Sequence, residues 1–209
     1  MKIYHFISIT ILLGLIFSQE TIEGRPLSFN TELFTKINIY NNERVNNYEE
    51  LILDEDRPVN SPFRYGKVNE VNINFFDIAS YYENNGFPIW RLKISSPNAY
   101  AISLEYDNFQ INNNGQFYVY SSDKSLVYGA YTNLNNHPEN LFSTPLVVGD
   151  EIILEYNGTQ EGTEIWISEI IHDYRDIMNF SNEDRTRDCG TNPSCSSALP
   201  YQNQINATS

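Results

Sequence analysis

The sequence predicts an all-β protein: an antiparallel β-sandwich of jelly-roll-like form, set between extended or disordered termini. Three observations lead to this. Aromatic residues make up 14% of the 209 residues, with 15 Tyr and 12 Phe, and such side chains suit a pleated, half-buried surface. Short segments alternate apolar and polar residues in the way half-buried strands do. Turn residues separate these segments at regular intervals, and nothing between them has the period and length of a helix. That spacing favours a sandwich or barrel over βαβ units.

Taken in chain order, residues 1–19 read as a secretory signal peptide. Lys2 precedes the apolar run Phe6–Phe17, which has the length of a signal core and falls short of the roughly 20 residues of a membrane span. Residues 20–62 are polar, Asn-rich and poorly periodic, so they read as an extended leader holding at most a short strand or helix. From residue 63 to residue 178 the sandwich is expected. Its strands are predicted at 89–94, 101–106, 116–120, 125–131, 146–148, 151–156 and 164–170. The turns are Asn112-Asn113-Asn114-Gly115, Gly149-Asp150 and Asn157-Gly158, where Asn and Gly tolerate positive φ. Residues 179–188 are polar and of mixed charge, an exposed linker of the kind proteases nick.

The 41% apolar content can supply a core, and the net charge is −14. A surface that negative repels nucleic-acid phosphates and anionic lipids, which argues against nucleic acid as a partner and against membrane association once the signal is cleaved. The only cysteines are Cys189 and Cys195, so the body from 20 to 188 must stand on packing without disulfides. The two thiols can pair with each other or await partners downstream.

No catalytic constellation is legible. Beyond the signal the histidines are His137, in an Asn-rich loop and expected to be exposed, and His172, beside Asp173, Tyr174 and Arg175. There is no Gly-x-Ser-x-Gly turn to present a nucleophile, so His172 is read as a structural corner. Asp54-Glu55-Asp56 lack the alternating ligands of a calcium loop, and two cysteines six apart with no nearby histidine do not make a zinc site. No metal or cofactor is expected. Trp90 shares parity with Leu92 and Ile94 and is expected to face the core. Trp166 has the opposite parity to Ile165 and Ile167 and is the better candidate for an exposed platform.

Several blocks share an order with one known family. Trp90-Arg91-Leu92-Lys93-Ile94-Ser95-Ser96-Pro97-Asn98-Ala99, Asn113–Ser121, Gly129-Ala130-Tyr131-Thr132, Leu141–Glu151 and Ile171-His172-Asp173-Tyr174-Arg175 together resemble the pro-region of bacterial secreted lysyl-endopeptidase-like, trypsin-like serine proteases. Phe142 stands where the family has Trp, and Asp173 where it has Gly. The resemblance implies that residues 189–209 are the truncated start of the peptidase domain. It also implies that Cys189 and Cys195 pair with cysteines further along, and that 179–188 is the processing linker. No Lys follows Lys124, so self-processing would have to occur after Arg185 or Arg187. The implied function is a secreted, extracellular pro-region, a folding aid and inhibitor whose partner is the peptidase domain of the same precursor. The chain is non-catalytic as it stands, although its parent would be a serine endopeptidase. The alternative is an extracellular β-sandwich module that binds carbohydrate or a cell surface.

Overall fold

The computed structural model describes residues 24–30 and 36–179. Their strands are β1 (Asn38–Asn41), β2 (Gly66–Asn74), β3 (Ser80–Asn84), β4 (Phe87–Ser95), β5 (Ala101–Gln110), β6 (Gln116–Ser121), β7 (Val127–Tyr131), β8 (Phe142–Ser143), β9 (Val147–Val148), β10 (Glu151–Asn157) and β11 (Glu164–Asp173). Two short helices, α1 (Asn47–Glu55) and α2 (Phe75–Ile78), complete the regular structure. The strands form two sheets. One runs β1-β4-β10-β6-β7, with β3 also on β4, and the other runs β2-β11-β5-β8, with β9 also on β5. Every pairing is antiparallel except β1 with β4. The predicted all-β sandwich is the observed architecture.

The core lies between the sheets. Leu92, Ile94, Phe117, Val119, Ile152, Leu154 and Tyr156 from the first sheet meet Ile102, Leu104, Tyr106, Phe109, Ile165, Ile167 and Ile170 from the second. Fully burying one such side chain is worth about 1.5–3 kcal/mol. The rings add specific contacts. Phe109 stacks on Phe142 with centroids 4.0 Å apart, and Phe117 meets Phe75 edge-on at 5.9 Å. Such pairs prefer offset or edge-to-face geometry.

All seven predicted strands are present, and β2, β3 and the short β1 and β8 join them. The leader is less extended than its composition suggested. Residues 27–30 form a 3-10 turn, 38–41 become β1, and 47–55 become α1. The helix starts at Asn46, whose side chain accepts from the Glu49 N–H, and its first turn carries Glu49 and Glu50. An Asn cap and acidic residues at an N-terminus both favour a helix there. The leader thereby covers a sheet face and one end of the sandwich.

Candidate functional site

A buried chain of hydrogen bonds lies at one end of the sandwich. Beyond β4, the Ser96 N–H donates to Asp150 O at 2.8 Å. Asn98, at φ +68, turns the chain toward β5, a conformation Asn tolerates. This brings the Ser96 Oγ within 2.8 Å of His172 Nδ1 on β11. Asn42 Nδ2 donates to the same Oγ at 3.0 Å. On the far side of the ring, His172 Nε2 lies 2.8 Å from Asn47 Oδ1, and Asn47 Nδ2 donates to Asn98 O at 2.8 Å. An amide oxygen can only accept, so Nε2 carries the proton and Nδ1 accepts from the Ser96 hydroxyl. Burial lowers the His172 pKa, outweighing the upward pull of Glu50, and the neutral imidazole fits both bonds.

A serine hydroxyl bonded to a histidine is half of a nucleophilic pair. Here it is enclosed: Ser96 and His172 both have zero exposure. The third member is a neutral amide, which cannot stabilise an imidazolium as a buried carboxylate does. Asp173 does not pair with His172; its carboxylate accepts from the Arg175 N–H at 2.7 Å and the Ile177 N–H at 3.0 Å. His172 and Asp173 are thus each held by separate hydrogen bonds at the end of β11.

A second cluster adjoins the first. Asp54 of α1 accepts from the Tyr174 hydroxyl and from Arg175 Nη2, both at 2.6 Å. Its other oxygen lies 3.1 Å from Arg64 Nε, and Arg64 also pairs with Glu50. Burial would raise the Asp54 pKa, but the bonds from Tyr174 and Arg175 and the charge of Arg64 hold it below the ordinary value. One face of α1 is therefore fastened by carboxylates.

A third cluster pins the strap at residues 27–30 to the outer face of the first sheet. Glu155 of β10 is fully buried. Its carboxylate accepts from Ser28 Oγ at 2.5 Å, Ser28 N at 3.0 Å and Tyr120 OH at 2.9 Å, and Arg91 Nε lies 3.7 Å away. The Asn157 amide, turned with its nitrogen toward Glu155, adds a donor at 3.0 Å. Burial and the Glu155 charge raise the Tyr120 pKa, so its hydroxyl remains a donor. Phe29 meets the Tyr120 ring edge-on at 5.0 Å.

The predicted processing residues Arg185 and Arg187, and the cysteines Cys189 and Cys195, lie outside the described residues, as does the signal at 1–19. His137 is exposed, and its Nδ1 accepts from the Glu139 N–H at 3.2 Å. Trp90 packs on the core beside Phe76, with centroids 5.1 Å apart. Trp166 is half-buried and donates to Glu164 at 3.0 Å. Sequence reasoning did not single out Asn42, Asn47, Ser96 or Glu155 as members of polar networks. For Glu155 a signal existed: one carboxylate in the otherwise apolar run Ile152–Tyr156 implies a polar cover on its face.

Among the described residues, no group of three or more His, Cys, Asp or Glu could hold a metal ion, and no helix is long and apolar enough to cross a membrane. No protein-family model matches the chain, and neither does any curated protein.

Proposed function

We propose that the chain is the pro-region of a secreted trypsin-like serine endopeptidase, acting as a folding aid for the peptidase and restraining it until the linker at 179–188 is cut. One observation carries most of the weight. Blocks that share their order with that family, and lie far apart in this sequence, meet at a single end of the sandwich. Ser96 of the Trp90–Ala99 block touches His172 of the Ile171–Arg175 block at 2.8 Å. Asp150 of the Leu141–Glu151 block accepts from the Ser96 N–H. The Ser96–His172 contact is made by the side chains themselves, and the Ser96–Asp150 contact by the backbone. The same end holds Tyr174 and Arg175, and the chain leaves it toward the linker. Secretion, the peptidase partner and processing after Arg185 or Arg187 belong to the same proposal.

The test is a titration of the intact secreted chain against the peptidase encoded with it, read with a chromogenic arginyl or lysyl peptide. Stoichiometric inhibition, faster recovery of activity on refolding, and cleavage after Arg185 or Arg187 support the reading. Absence of both inhibition and refolding assistance overturns it.

A further inference from the structure

Beside the first turn of α1 lies an open cleft of about 720 Å³, inside the range of roughly 300–1,000 Å³ typical of small-ligand sites. Its lining is almost wholly polar; apart from the Tyr48 ring, Val45 is its one apolar side chain. A helix N-terminus alone does not make a site, but Asn69 on β2 supplies an independent sign. Asn69 lies in register with Ile170, which is itself in register with Leu104, and both of those side chains are in the core. Its carboxamide therefore faces inward at the sheet edge, where the cleft begins. It is 9% exposed, and its Nδ2 has no hydrogen-bond partner. Native folds leave few buried polar groups unpaired, and those that remain call for an explanation such as a ligand.

Two further lining residues are uncommitted. Tyr48 is 71% exposed, and among the described residues its ring meets no other aromatic side chain and the exposed Arg44 enters no ion pair. Lys67 and Glu50 neutralise each other at 3.4 Å. The cleft thus offers donors from Arg44 and Asn69, acceptors from Glu43 and Glu49, and one aromatic face. Those carboxylates and the net charge of −14 disfavour an anion. The absence of apolar subpockets disfavours a peptide or lipid anchor. Vicinal hydroxyls both donate to carboxylates and accept from a guanidinium or an amide, and the C–H face of a pyranose packs on a tyrosine ring.

We propose that this cleft binds a neutral saccharide, with Asn69 and Arg44 as donors, Glu43 and Glu49 as acceptors, and Tyr48 as the stacking face. The proposal goes beyond the pro-region reading and stands or falls apart from it, because peptidase inhibition is not its readout. The test is calorimetric titration of the intact secreted chain with cellohexaose, xylohexaose, mannohexaose, laminarihexaose and chitohexaose, beside polygalacturonate as an anionic control. The expected result is saturable binding of at least one neutral oligosaccharide, weakened tenfold or more by Y48A and by N69A. Tyr48 is too exposed for Y48A to disturb the fold, so its thermal midpoint should stay at the wild-type value, and Y48A decides if N69A fails to fold. No binding of any neutral oligosaccharide, binding that survives Y48A, or binding of polygalacturonate alone would each overturn the proposal.

Discussion

Acidification should loosen the sandwich through His172 before most carboxylates titrate. In the folded chain His172 Nδ1 accepts from the Ser96 hydroxyl while Nε2 donates to Asn47. A proton added at Nδ1 would face a hydroxyl already oriented as its donor, with Asn42 Nδ2 occupying the same oxygen. The charged groups around the ring are Glu50 of α1, its ion-pair partners Lys67 and Arg64, and Asp173 next in the chain; Glu50 alone favours the charged form, and burial outweighs it. The folded pKa therefore lies below the ordinary 6.5. The unfolded chain then binds more protons, and stability falls as pH drops below the unfolded value. The limiting slope for one histidine is about 1.4 kcal/mol per pH unit. It runs from about pH 6.5 down to the folded pKa and is absent above pH 7.5. Urea unfolding at a series of pH values between about 8 and 5 measures it. H172Q removes the titration and should also cost about 2–4 kcal/mol at neutral pH, from the two buried hydrogen bonds and the partners left behind. Its stability should then fall less steeply with acidification across this window than that of the wild type. An equal slope in wild type and H172Q would refute the argument.

Three other substitutions probe separate parts of the structure. S28A removes a hydroxyl bonded to a buried carboxylate and should destabilise the strap by about 1.5–3 kcal/mol, read as faster chymotrypsin cleavage after Phe29 while the sandwich melts nearly as before. E169K should stabilise the protein. Glu169 stands in register with Glu70 on one side and Glu105 on the other, and burial, with the Glu169 charge second, raises the Glu105 pKa. Replacing repulsion by attraction at directly opposed positions is worth about 0.5–1 kcal/mol, and a lower thermal midpoint would contradict it. L154A, at a fully buried position between the sheets, should cost about 2–5 kcal/mol, and a loss below 1 kcal/mol by urea unfolding would mean that the core is loosely packed there.

The strands legible in the sequence are those whose two faces differ, or whose both faces are apolar. β4, β5, β10 and β11 carry enough Ile, Leu, Tyr and Phe to announce themselves. Two edge strands do not: β2 carries Lys67, Asn69, Glu70 and Asn72, and β3 reads Ser80-Tyr81-Tyr82-Glu83-Asn84. Polar and charged edges limit pairing with other chains, and the same property hides them from hydrophobic periodicity. One local signal for β3 was present. Asn85 and Gly86 both have positive φ, at 51° and 82°, as a two-residue hairpin requires, and Asn-Gly before Phe87 marks that turn. β1 pairs in parallel with β4 from more than fifty residues away, and no short-range pattern encodes such a partner.

α1 was concealed for a different reason, and that reason ties the leader to the proposed processing region. An amphipathic helix is found by an apolar stripe facing the core. This helix turns Glu50 and Asp54 inward and leaves Tyr48, Ile52 and Leu53 exposed, so its pattern is inverted. What its acidic face meets is the start of β2 and the exit of β11. Asn47 bonds His172, Glu50 pairs with Arg64 and Lys67, and Asp54 holds Tyr174 and Arg175. The leader and the end of β11 therefore share one polar lock, in which Asn47 and Asp54 bond residues more than a hundred positions away and Glu50 pairs with residues nearer in the chain. Removing one partner leaves the other desolvated and unpaired, which costs more than the bond itself contributes. Loss of the leader should thus be felt first at Tyr174 and Arg175, immediately before the segment where cleavage is proposed.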